Sequence, residues 1–178
     1  ASDDLKLVTQ FEIDTVWGNT AASGSAGGGR IDTDAVNVEV QHAYLDFNIG
    51  KNLNVKVGSQ AYHDTLKGLY VNADLPMLRT SLKAGAYTLG LGYSRFNDAS
   101  ASNTSQGLSQ YNGRLNADLY LVDNTFSFSK DSKATFSYYL NVDNSLPGFE
   151  KKVHTLGLGG ATKFGKVTID GFAAMQAG

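Results

Sequence analysis

The residues with chemistry to offer are dispersed charges on alternating positions. Lys56, Arg79, Arg95 and Arg114 could face Glu12, Asp14, Asp64, Asp74 and Asp118 across water, with Gln60 and Tyr62 on the same wall. Opposed charges of that kind set up a transverse field that orients polar solutes and biases the passage of ions. Each also has a plainer reading as a solvated wall residue with little effect. Catalysis is not expected. There is no G-x-S-x-G elbow to expose a nucleophile, and Ser, His and Asp occur in any chain of this length. His42, His63 and His154 are far apart in sequence and there is no cysteine, so no metal or cofactor site is expected. The glycines of LGLGY and LGLGG precede no helix and cannot cradle a phosphate; small residues that let large neighbours fit across a sheet explain them better.

The elements that must carry these charges are strands. From Leu5 to Trp17 the residues alternate, with Leu5, Leu7, Phe11 and Ile13 against Lys6, Gln10, Glu12 and Asp14. That is longer than a globular strand of ~5–6 residues and long enough to cross a tilted bilayer. Gly18 to Asp34 reads as a long solvated loop. A second strand, Ala35 to Ile49, changes phase between Val40 and Ala43, which a bulge near Gln41-His42 would repair. A short turn at Gly50-Lys51-Asn52 leads to a third strand from Leu53.

Later strands follow the same rule. Gly68 to Leu75 is a shorter run that Pro76 should end. Lys83 to Phe96 puts Tyr87, Leu89, Leu91 and Tyr93 on one face. After a polar loop from Asn97 to Gln110, Tyr111 to Asp123 sets Leu115, Ala117, Leu119 and Leu121 against Asn116, Asp118 and Tyr120. A link over Asn124 to Lys133 precedes Ala134 to Asp143, and Val153 to Phe164 and Lys166 to Gln176 form a final hairpin. The expected fold is all-β and antiparallel, with about nine strands and no helix. The segment from His63 to Pro76 breaks the long-strand pattern with charged and aromatic residues, and is expected to narrow the space between the walls.

Two environments would suit such alternation: a dry core or lipid. The 178 residues are 42% hydrophobic, with 20 glycines and 18% charged residues, below the ~25% usual in soluble domains. A net charge of -2 gives no basic footprint for nucleic acid. No apolar run approaches the ~18 residues of a spanning helix, but a transmembrane barrel needs none, and its mean hydropathy can be slightly polar, as the -0.22 here is. The start Ala1-Ser2-Asp3-Asp4 would suit a mature end left by cleavage after a small residue. A soluble β-sandwich would have to bury Glu12, Asp14, Lys56, Gln60, Arg114, Asn116, Asp118 and Asp170 at several kcal/mol each unless paired. These side chains need water, and the opposite face has aromatic residues near strand ends, at Trp17, Phe47, Tyr87, Tyr93 and Tyr111. An antiparallel transmembrane β-barrel is therefore the expectation, with the sandwich as the soluble alternative.

The stretch AYLDFNIGKNLNVKVGSQ, Ala43 to Gln60, continued by YHDTLKGLYVNADLP, resembles the strand-turn-strand of Gram-negative general porins and alginate-export-like porins. The likeness covers about a third of the chain. It implies a bacterial outer-membrane pore for passive diffusion of small hydrophilic solutes or ions, embedded in outer-membrane lipid and often built as a homotrimer. Porins use ~16–18 strands, so the visible strands would be the N-terminal portion of a longer barrel. The alternative is a self-contained eight-stranded barrel, with Gly68 to Leu75 inside a loop, its lumen filled by side chains, serving as anchor, adhesin or partner scaffold.

Overall fold

The computed structural model describes residues 4–14, 37–98, 116–145 and 148–178. Nine strands are described: β1 (Leu5–Asp14), β2 (Asn37–Ile49), β3 (Leu53–His63), β4 (Asn72–Ala84), β5 (Tyr87–Asp98), β6 (Asn116–Ser129), β7 (Ser132–Asp143), β8 (Lys151–Phe164) and β9 (Val167–Ala177). Each pairs antiparallel with the next in chain order, giving one sheet, β1 to β9, whose two edges are not joined. Among the described residues there is no helix and no second sheet, so a two-layer sandwich is not what these strands build.

The connections alternate in length. Short turns follow β2, β4, β6 and β8, where Gly85 and Gly165 take positive φ of 60° and 59° that a side chain would strain. Longer connections follow β1, β3, β5 and β7 at the other end. The loops foreseen at Gly18 to Asp34 and Asn97 to Gln110, with Trp17, Tyr111 and Arg114, lie outside the described residues except for Asn97 and Asp98, which end β5.

Register bears out most of the alternation. Gln10 pairs with His42 but Phe11 with Val40, so Gln41 is an extra residue, and the phase change within β2 is a bulge at the foreseen place. The side-chain amides of Gln10 and Gln41 bond across it.

Several boundaries differ from expectation, among them that of the run from Lys83 to Phe96, whose Lys83 and Ala84 end β4 while β5 begins at Tyr87. β4 does not end at Pro76; it begins at Asn72 and runs through Pro76, opposite Ser59, to Ala84. Ser94 Oγ donates to the Pro76 carbonyl at 2.9 Å, so that side of Pro76 faces β5, and the β4–β5 ladder starts only at Met77. The proline therefore forfeits no ladder bond. β6 continues to Ser129 and β7 begins at Ser132, so the expected link over Asn124 to Lys133 is strand except for the turn at Lys130 and Asp131. The eight-strand arrangement that needed Gly68 to Leu75 inside a loop is likewise not adopted, because Asn72 to Leu75 open β4.

The sheet has two unlike faces. One carries Leu5, Leu7, Phe11, Ile13, Leu45, Val57, Leu78, Leu82, Leu91, Phe126, Phe136, Leu156, Leu158, Ile169 and Met175 and is bare, with Leu7 71% and Leu158 61% exposed. The other, here called the loop face, is crossed by residues 64–71, and the buried residues concentrate there: Tyr62, Leu66, Leu75, Met77, Leu119, Leu121 and Tyr139.

Candidate functional site

The site is the segment of residues 64–71 and the strands it lies on. At its start, Asp64 closes the segment on itself. Its Oδ1 accepts the backbone N–H of Leu66 (2.8 Å) and Gly68 (2.9 Å), and its Oδ2 those of Tyr70 (2.7 Å) and Val71 (2.5 Å). The backbone adds Asp64 N–H to the Val71 carbonyl at 3.0 Å. One carboxylate thus satisfies four donors that a tight turn would leave unpaired. Lys67 sits at positive φ, 61°, just before Gly68 at 73°, which lets the chain reverse.

A second carboxylate fixes the segment to the sheet. Asp123 on β6 accepts the Tyr62 hydroxyl at Oδ2 (3.0 Å) and those of Ser137 and Tyr139 at Oδ1 (2.8 Å each). Thr65 Oγ1 is 3.3 Å from the same Oδ1, bonds the Ser137 hydroxyl, and lies 3.0 Å from that of Tyr139. These groups come from β3, the segment, β6 and β7, so one buried cluster ties four pieces of chain together. Leu66, fully buried, rests on Gly157 of β8, where an added Cβ would come within 2.5 Å of its methyl. Tyr70 stacks on Tyr139 with ring centroids 5.3 Å apart. Burial raises the Tyr70 phenol above its ordinary pKa. Beyond the turn, Lys67 reaches Asp170 on β9 at 2.5 Å, so the segment spans from β3 to the ninth strand.

The residues foreseen as a charged wall are placed unequally. Gln60 and Tyr62 are on the loop face but buried: Gln60 donates to the Met77 carbonyl at 3.1 Å, and Tyr62 is held by Asp123. Asp64 is likewise buried and fully used as the clip. Lys56 is 3.3 Å from Asp46 on β2 and over the Tyr44 ring, so its partner is a neighbour within the sheet. Arg79 lies over the Tyr62 ring, 5.2 Å from its centroid. Asp74 is a correction to the foreseen wall: opposite Ala61 and in phase with Val57 and Leu78, register puts it on the bare face, where it meets His42 at 2.8 Å, the β2–β3 ladder ending at Ala43 and Ser59. Glu12 faces Glu39 across β1 and β2, and Asp14 is the last residue of β1, opposite Asn37. Arg114 lies outside the described residues.

Arg95 and Asp118 require a correction. They are brought together, Nε to Oδ1 2.8 Å, with the Tyr93 hydroxyl on the same oxygen at 3.0 Å. Register puts them in phase with Tyr93, Tyr120 and Leu91, on the bare face. Leu119 and Leu121 occupy the loop face, under the segment, so the assignment of the two faces of β6 is reversed from the one composition suggested. An apolar stripe reads the same from sequence whether it meets an outer solvent or a segment folded back on the sheet.

Sequence reasoning missed Asp123, Thr65, Ser137 and Tyr139. The available signal was an acid in phase with Leu119 and Leu121: a carboxylate on an apolar stripe needs partners brought to it. Among the described residues, no three His, Cys, Asp or Glu side chains are grouped to hold a metal. No protein-family model matches the chain, and no curated protein matches it.

Proposed function

We propose that the chain forms the wall of a water-filled channel in a bacterial outer membrane, a porin-type β-barrel that passes small hydrophilic solutes or ions. The bare face carries this reading: large apolar side chains stand exposed along the sheet, with no second layer against them among the described residues. A sheet in water buries such a face under helices or another sheet. Lipid would leave it uncovered.

Further features agree. Strands of 10–14 residues suit a tilted crossing, and the connections alternate short and long, as in outer-membrane barrels. On the bare face, Tyr87 packs on Phe126 at 4.8 Å between centroids and Tyr93 on Tyr120 at 5.3 Å. Six residues separate these pairs along β5, about 20 Å by strand rise, close to the spacing of two interfacial aromatic girdles. β1 and β9 run the same way, so joining them directly would need a parallel pair in an otherwise antiparallel sheet. Further strands between those edges, in a barrel of ~16–18, remove that conflict. Residues 64–71 would then narrow the lumen. Assembly as a homotrimer belongs to the same reading and rests on the resemblance to general porins.

Planar-bilayer recording of the detergent-purified full-length protein tests the proposal. Discrete conductance steps in KCl are expected; well-folded protein that inserts and gives none would overturn it.

A further inference from the structure

Beside the segment is a cavity of about 280 Å³, lined by Tyr70, Val71, Leu75, Leu119 and Asn141. Four of the five are apolar or aromatic and none carries charge. The exception is Asn141 on β7, which register places on the loop face opposite Leu119 and Val153. Its Oδ1 is buried and has no hydrogen-bond partner among the described residues. Elsewhere on this face the buried polar groups are paired: Gln60 with a carbonyl, Asp64 with four amides, Asp123 with hydroxyls. Asn141 is the polar side chain among these five, and its Oδ1 is the buried acceptor left without a partner, which sets it apart from the paired groups around it.

We propose that this cavity is a binding subsite for a neutral solute with a hydroxyl-bearing edge and an apolar face, the size of a single sugar-like ring. The carboxamide of Asn141 both donates and accepts, which matches a hydroxyl and discriminates poorly between ions. Tyr70, held on one side by Tyr139, together with Val71, Leu75 and Leu119, offers the apolar surface against which the C–H face of such a ring packs. The volume, near the lower end of the ~300–1,000 Å³ range of ligand pockets, fits one ring. The lack of charge in the lining disfavours a carboxylate or an ammonium, whose desolvation nothing there would offset. The subsite lies against the segment that narrows the lumen, so under the channel reading it deepens that function by naming a solute class.

The test uses the full-length protein folded in detergent and methyl α-glucopyranoside as probe, with binding followed by saturation-transfer NMR and, in parallel, by current reduction in bilayers. Saturable binding is expected, weakened about tenfold or more in Asn141→Leu and in Asn141→Ser, and unchanged in Lys51→Gln, an exposed residue of the short turn after β2. Non-saturable binding, binding unaffected in a folded Asn141 variant, or sodium benzoate binding as tightly as the glucoside would overturn the subsite even where KCl steps are seen. Asn141-dependent binding without KCl steps would uphold the subsite and overturn the channel.

Discussion

The loop face is two surfaces built on one alternation. Along β1 and β2 it presents Lys6, Gln10 and Glu39 to solvent, with Glu12 directly across from Glu39. Along β6, β7 and β8 it presents Leu119, Leu121, Asp123, Ser137, Tyr139 and Gly157, all buried. The backbone pattern is the same in both, and only the second receives a segment folded back from β3. Side-chain chemistry therefore follows what covers the face, and a polar wall becomes a local core where the chain returns to it. The covered region should be intolerant of substitution and the open one tolerant.

Asp64→Ala should break that contrast most. It strips four backbone N–H groups of their acceptor at a buried site, which costs about 3 kcal/mol or more, and hydrogen exchange at Leu66, Gly68, Tyr70 and Val71 should quicken about a hundredfold or more. Protection unchanged at those amides would show that the carboxylate does not hold the segment. Asp123→Ala leaves the hydroxyls of Tyr62, Ser137 and Tyr139 without their shared acceptor, and about 2–3 kcal/mol should be lost in urea unfolding from micelles. There the Asp64 clip should persist, so exchange within 64–71 should change less than in Asp64→Ala.

Gly157→Ala should cost about 1–3 kcal/mol, because its methyl would meet Leu66 on a fully buried contact and push the segment off β8. In bilayers the same variant should alter unit conductance. An equal loss for alanine at Gly171, where nothing lies within 4 Å, would remove the argument from packing. The smallest effect belongs to the open region: Glu12→Gln relieves repulsion with Glu39 and should stabilise by about 0.5 kcal/mol, and under the proposed channel function it should also lower cation preference. A destabilisation comparable to Asp123→Ala would erase the distinction between the two surfaces.

Strand existence was legible in sequence, since period two survives any environment. The bulge at Gln41 was legible too, because Val40 and Ala43 both belong to the apolar phase while the two residues between them cannot keep it. Pro76 misled through its lost donor, which costs nothing where no ladder begins until Met77. The faces of β6 were illegible locally: Leu119 and Leu121 are apolar because of Leu66 and Tyr62, residues more than fifty positions earlier. For the same reason the segment's inward course could be suspected from its composition, but its anchor could not. Asp123 is one acid among many until Thr65, Ser137 and Tyr139 are brought to it.

The Asp64 clip also bears on the order of assembly. Every bond it makes is to a residue within seven positions, whereas the Asp123 cluster spans separations of up to 74. Closing a short loop needs little chain entropy, and contacts that distant in sequence form late. Residues 64–71 can therefore take their shape while β6 to β8 are still unpaired, giving the later strands a preformed template on which Leu119, Leu121 and Tyr139 settle as they join the sheet.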